Sequence, residues 1–203
     1  RGKGYTKTRL ERVLVCPDTH IPYHDKRAWA LMLKAARAFA PHHIYCIGDL
    51  LDFYAVSSHS KDPKRANHLP EEIAAGNTAL DQLDALGAKY KVFLAGNHCD
   101  RWRRYLQDKA PELFGVVTIP DLLHLPERGW TYVPYKGDTK LGKLWFTHDV
   151  GVAGRNSVFK ALETYHHSII TGHSHRLAYI VEGNAVGEFK LSAQFGWLGD
   201  TNA

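Results

Sequence analysis

At 203 residues, 44% hydrophobic and 23% charged, the chain is long enough to fill one core and has an ordinary globular composition, which excludes wholesale disorder and fibrous folds and favours one domain over two. Its 26 Lys and Arg against 21 Asp and Glu give a net charge of +5, compatible with a polyanionic partner but not diagnostic of one. No apolar run approaches the ~20 residues needed to cross a bilayer and no signal segment opens the chain, so a cytoplasmic protein without a membrane partner is expected.

Residues 1–11 have the composition of a basic arm or linker remnant: Arg1, Lys3, Lys7 and Arg9, with Arg12 just beyond, stand against Glu11. Such a run is usually a solvated tail. The chain does not begin with Met, which leaves residues or a domain upstream open. Residues 12–203 are expected to form a single domain. Its first strand covers residues 12–16, where Val13-Leu14-Val15 is short and β-branched, and stops at Pro17. Asp18 and His20 lie just past that end. With Asp25 as N-cap, Ala28, Leu31, Met32, Ala35 and Phe39 recur at helical spacing and predict a helix with that stripe in the core, halted by Pro41.

A second strand over residues 43–47 runs into Gly48-Asp49. Residues 53–69 are polar and mixed in charge, with His59, Lys61, Lys64, Arg65 and His68, and predict a long exposed loop placed as a substrate-facing lid. Pro70-Glu71-Glu72 opens the next helix with acids at its positive end, and Gly87 closes it. A strand over 90–95 is followed at once by Gly96-Asn97-His98, then by a helix over 100–110. Strand-like stretches follow at 130–134 and 143–147, the second ending at His148. A helix from about residue 154 to 165 leads to a strand over 168–171 and the glycine-opened turn Gly172-His173-Ser174-His175. Last, residues 179–182 and 186–191 flank Gly183-Asn184, which predicts a hairpin turn.

Strands alternating with helices imply an α/β fold, in which ligands collect beyond the carboxyl ends of the strands. Polar clusters sit at those ends: Asp18-x-His20, Gly48-Asp49-x-x-Asp52, Gly96-Asn97-His98, His148 and Gly172-His173-x-His175. Taken singly, each is explained by turn chemistry. Jointly they offer carboxylate and imidazole donors at one strand exit after another, in a chain with 13 histidines. Donors of this kind without thiolates suit an open catalytic site for divalent ions. Cys16, Cys46 and Cys99 form no C-x-x-C pair and are odd in number, which argues against a disulfide framework or a cysteine zinc site.

In order and spacing these clusters resemble the calcineurin-like metallophosphoesterase superfamily, from Asp18 to His175. The resemblance implies a four-layer αββα sandwich, two mixed β-sheets face to face with helices outside. It implies two divalent metal ions, Mn foremost, with Fe, Zn, Ni or Mg as alternatives. Asp18, His20 and His175 would hold one ion, Asn97, His148 and His173 the other, and Asp49 would bridge them. A shared carboxylate holds two ions ~3.5–4 Å apart, so that a water between them loses a proton readily and attacks phosphorus in line. By the same resemblance His98 is not a ligand but faces the leaving-group oxygen as general acid, oriented by Asp52. Asn97 is also expected to meet the substrate. So is Arg101, whose planar fork suits a phosphate, although Arg101, Arg103 and Arg104 also fit a solvated helix face interleaved with Trp102 and Tyr105.

Two departures narrow the function. Cys99 stands where the family often has an acid after Gly-Asn-His, and is expected to be a small half-buried spacer. Phe53 stands where the protein Ser/Thr phosphatases of the superfamily carry Arg, which argues against that activity. The expected function is hydrolysis of a phosphodiester or phosphomonoester, with a nucleotide or nucleic acid favoured by the basic arm and loop, a nuclease included. The alternatives are a non-catalytic scaffold of the same fold, and a structural or storage metal site, which leaves Asp52 and His98 without a purpose.

Overall fold

The computed structural model describes residues 10–60, 62 and 68–200. Most of the basic arm (Arg1, Lys3, Lys7 and Arg9) and Lys61, Lys64 and Arg65 of the expected lid lie outside the described residues. The chain's first described stretch is tied down: Arg12 Nε donates to the carbonyl of Ala40 at 2.8 Å, and Glu11 lies 2.8 Å from His42 Nδ1.

A four-stranded parallel sheet contains, in order, β1 (Val13–Cys16), β2 (His43–Ile47), β3 (Tyr90–Leu94) and β4 (Trp130–Val133). A five-stranded mixed sheet runs β5 (Asp138–Leu141), β6 (Leu144–Thr147), β7 (Ser168–Thr171), β9 (Phe189–Phe195), β8 (Leu177–Gly183), with β5 and β8 as antiparallel edges. Because side chains alternate along a strand, each sheet turns an apolar face toward the other, and those faces meet. Val13, Val15, Tyr45, Ile47, Val92 and Leu94 pack on Leu144, Phe146 and Ile170, with the Tyr45 and Phe146 rings stacked at 4.3 Å.

The alternate residues of the first sheet, Leu14, Ile44, Cys46 and Phe93, face α1 (Lys26–Phe39), α2 (Leu69–Asp84) and α3 (Asn97–Lys109), whose Leu33, Leu80, Leu83 and Leu106 complete a second core. After the short α4 (Ile119–Leu122), α5 (Ser157–Tyr165) covers the second sheet on β7 and β9, burying Val158, Ala161 and Leu162 at helical spacing. Helix, sheet, sheet and helix make the four-layer sandwich that the resemblance implied. Among the described residues no helix is long and apolar enough to cross a membrane.

Several local expectations are corrected. The predicted core stripe of α1 is rotated: Leu31 and Phe39 are 67% and 46% exposed, while Trp29, Leu33 and Ala36 are buried. Residues 29, 32, 33 and 36 also share one helix face, and that face carries the indole, the larger apolar payload, whose Nε1 donates to Gln82. Helix α3 starts at Asn97 with Gly96 as N-cap, so Gly-Asn-His is a helix opening, not a separate turn. The β8–β9 connection spans residues 184–188 instead of Gly183-Asn184: Asn184 Oδ1 accepts the N–H groups of Val186 and Glu188, and Gly187 supplies a φ of 81°.

Several short elements escaped prediction, among them a 3-10 turn at Pro111–Leu113. Strand β5 is a polar edge without apolar alternation, and α4 rests on a capping box between Thr118 and Asp121. The expected exposed loop also begins inside the protein. Phe53 is fully buried, a 3-10 turn covers Tyr54–Val56 and Ser57 is buried, because Phe53 fills the core between the helices and the first sheet.

Candidate metal centre

Parallel strands end on the same side, so the loops after β1, β2, β3, β6 and β7 gather at one edge of the sandwich. Backbone hydrogen bonds stitch them together: Asp18 N to Gly48 O (3.2 Å), His20 N to Asp49 O (2.9 Å), Gly172 N to His148 O (2.9 Å) and Leu198 N to Asp18 O (3.0 Å). Asp18, His20, Asp49, His173 and His175 all adopt left-handed φ, between 40° and 67°. Asp and His tolerate that region better than most side chains, and such backbone concentrates at functional sites. Three glycines at the site are sterically required, Gly172 among them because a methyl there would press on the Asp18 carboxylate. A methyl at Gly96 would overlap the Asp49 carboxylate, and one at Gly48, itself at φ 102°, would overlap the His148 ring.

The structure brings the expected ligands together in two groups. In the first, Asp18, His20 and His175 place donor atoms within 4.8 Å of one another. His20 Nε2 is 3.0 Å from His175 Nε2, which is 3.5 Å from Asp18 Oδ1. In the second, Asp49, His148 and His173 do the same. Asn97 Oδ1 lies 2.9 Å from both His148 Nε2 and His173 Nδ1, and Asp49 Oδ2 lies 3.2 Å from His148 Nε2. Asp49 also groups with His20 and His98, so it stands between the two sets.

Hydrogen bonds on the far side of the rings fit these residues to divalent ions. His20 Nδ1 donates to Asp52 Oδ2 (3.0 Å) and His148 Nδ1 to the carbonyl of Ile47 (3.0 Å). In each ring Nε2 is thereby turned to the centre, the tautomer a metal needs. Burial works against charge on His148, yet the adjacent Asp49 carboxylate outweighs it and raises the ring to about 9. Burial likewise opposes charge on Asp49, but His148, His98 and His20 together hold its carboxyl well below the usual range. A cation in place of the Nε2 proton would satisfy the same buried carboxylate.

Asp52 does more than the expected orientation of His98. Its Oδ2 sits 3.0 Å from His20 Nδ1 and 3.4 Å from His98 Nδ1, and its carbonyl receives His98 Nδ1 at 2.9 Å. Burial opposes its charge, yet the hydrogen bonds from His20 and His98 keep its carboxyl well below the ordinary range. Arg101 completes the group: Nη1 donates to Asp52 O (2.9 Å) and Oδ1 (3.0 Å), and Nη2 to His98 Nε2 (3.0 Å). Arg103 and Arg104 pair with Asp100 on the outside of α3. Replacing Asp52 by Asn is expected to weaken divalent-metal affinity by about 10–100-fold through His20, measurable by competition with a chelating dye.

Other residues at the site were not anticipated. The ring of Trp197 stacks on His175, with centroids 4.9 Å apart and planes 1° from parallel. Extending β9 to its true end at Phe195 would have placed Gly196-Trp197 at one more strand exit. Gln194, 2% exposed, accepts hydroxyl bonds from Ser157 (3.0 Å) and from Ser174, and donates to Thr171 Oγ1 (2.9 Å). It pins Ser174, the residue between His173 and His175, and no motif marks it. Glu72, buried in α2, accepts the N–H of Phe53 just after Asp52, and burial pushes its carboxyl up to about 7. Cys99 is a packing residue 2% exposed, its thiol pushed up by burial. Tyr54 packs edge-on against Tyr23 at 5.8 Å, and His59 N donates to Ser57 Oγ at 3.2 Å.

A family model described as calcineurin-like phosphoesterase matches residues 11–177, a span that contains both groups of ligands. Among curated proteins the chain is similar to the Gene 54 protein of Mycobacterium phage D29, 25% identical over 191 residues that cover 82% of this chain and 69% of that protein. It is similar as well to the Gene 54 protein of Mycobacterium phage L5, 26% identical over 179 residues, with 82% of this chain and 69% of that protein covered.

Proposed function

The chain belongs to the calcineurin-like phosphoesterase family, and from that premise we propose that it hydrolyses phosphate esters with two divalent ions, one held by Asp18, His20 and His175 and the other by Asn97, His148 and His173, with Asp49 shared. The observation that carries this reading is the position of Asp49 between two sets of imidazole and oxygen donors, with the outward nitrogens of His20 and His148 already hydrogen-bonded. When bound, the ions supply Lewis-acid polarisation of the phosphoryl oxygens and a water acidic enough for in-line attack. Nitrogen and oxygen donors without thiolate suit Mn, and after it Fe, Zn, Ni or Mg.

His98 is the proton donor to the leaving oxygen in this proposal. Its Nδ1–H is committed to Asp52 O, so Nε2 is the atom that can hand over a proton, and that atom lies 3.9 Å from Asp49 Oδ2. With the ring neutral, Nε2 accepts from Arg101 Nη2. Protonation of Nε2 breaks that hydrogen bond and turns a guanidinium N–H toward the substrate phosphate, so Arg101 and His98 act as a pair. The favoured substrate is a phosphodiester or monoester of a nucleotide or nucleic acid.

The test compares hydrolysis of bis-p-nitrophenyl phosphate and p-nitrophenyl phosphate. Turnover is expected with added Mn, is lost after exhaustive chelation and returns when Mn is restored. No metal-dependent turnover on either ester moves the chain to a non-catalytic scaffold.

A further inference from the structure

Residues 101, 104, 105, 108 and 109 share one face of α3, at helical spacings of three and four. That face forms one wall of a cavity of about 320 Å³, and residues 55–58, which follow Asp52 and Phe53, line it too. Arg101, Arg104 and Lys109 bring three cations to the cavity, against the carboxylate of Asp108. Arg104 spends its Nε on Asp100 at 3.2 Å, which leaves its terminal nitrogens. Tyr105, 39% exposed, stacks one face on Trp102 at 6.0 Å and 18°. Ser57 and Ser58 add hydroxyls. A row of basic residues on a helix is usually a solvated face; this one is concave and contains an aromatic ring. It also shares Arg101 with the reaction centre, through His98 Nε2 and Asp52.

We propose that this cavity binds a nucleotide leaving group, its own second phosphate on Arg104 and Lys109 and its base against Tyr105. The inference rests on the phosphoesterase reading, because Arg101, which lines the cavity, reaches Nε2 of His98, the proposed donor to the leaving oxygen. The volume suits one nucleotide unit, near the lower end of the ~300–1,000 Å³ typical of small-ligand sites. Cations for a phosphate and a ring for a base are the chemistry by which single nucleotides are held. In the step, a water oxygen bonds to phosphorus as the bond from phosphorus to the leaving oxygen breaks. His98 protonates that oxygen, a water proton replaces the one it gave, and the product left in the cavity is a nucleotide with a free hydroxyl.

The test uses two dinucleotides that differ only in whether the leaving nucleoside carries a terminal phosphate. The wild-type chain with Mn is expected to favour the phosphorylated one by about tenfold or more in kcat/KM, and R104A/K109A to bring the ratio close to one. A ratio near one in the wild type, or one unchanged by the double substitution, overturns the subsite. Equilibrium dialysis of thymidine monophosphate against the chelated protein separates the two proposals. If no ester is hydrolysed but R104A/K109A still weakens nucleotide binding, the subsite stands and the enzymatic reading falls. Mn-dependent hydrolysis with no nucleotide binding and no preference leaves the enzyme and removes the subsite.

Discussion

Asp49→Ala empties the metal centre: the variant is expected to lose both divalent ions under conditions where the wild type keeps about two, and to lose at least about a thousandfold in kcat/KM. The effect is large because this carboxylate has no substitute. It is 1% exposed, lies 3.2 Å from His148 Nε2, groups with His20 on its other side, and accepts the backbone N–H of His98 at 2.9 Å. Its loss would leave His148 without the carboxylate beside its Nε2, and that ring, now held at about 9, would become less basic, with Asp18 and Asp52 remaining on the other side of the site. Metal content by mass spectrometry and a circular dichroism spectrum, measured together, separate metal loss from misfolding. A folded Asp49→Ala protein that retains two ions would falsify the shared-carboxylate arrangement.

His98→Ala has the opposite signature. Metal content stays near the wild-type value, while kcat falls by about 10²–10⁴-fold, most for substrates with poor leaving groups and least for p-nitrophenyl esters. The division rests on what the ring touches. His98 Nδ1 is 2.9 Å from Asp52 O, and Nε2 faces Arg101 at 3.0 Å, with Asp49 Oδ2 farther off at 3.9 Å. A rival assignment also has geometry behind it, because His98 groups with His20 and Asp49 in a third possible cation cluster. Plotting rate against leaving-group pKa and measuring bound metal in the same preparations decides between them. Release of an ion from His98→Ala would make His98 a ligand, and the proton donor would have to be sought elsewhere.

Much of the fold was legible because strands and helices here obey local rules. The strands over 43–47 and 168–171 coincide with β2 and β7, since short apolar, β-branched runs between polar breakers have few alternatives. The positions of Asp18, Asp49, Asn97, His148 and His173 beyond strand ends were legible for the same reason. The helix α1 shows the limit. Its length and caps are local, but two stripes of apolar residues wind round it, and only the partner surface selects the one with Trp29.

The amino-acid sequence by itself determined most of the strands, where β1, β2, β6 and β7 stop, and which oxygen and imidazole donors stand beyond strand ends, because these depend on neighbours a few residues away. Only the tertiary structure decided that Asp52 supports His20 as well as His98, that Gln194 braces Ser174, and that Trp197 lies flat on His175. Those contacts join loops far apart in the chain, and their geometry follows from strand order and from left-handed backbone at Asp18, His20, Asp49, His173 and His175. No periodicity along the chain encodes them, since each was chosen by packing across the top of two sheets.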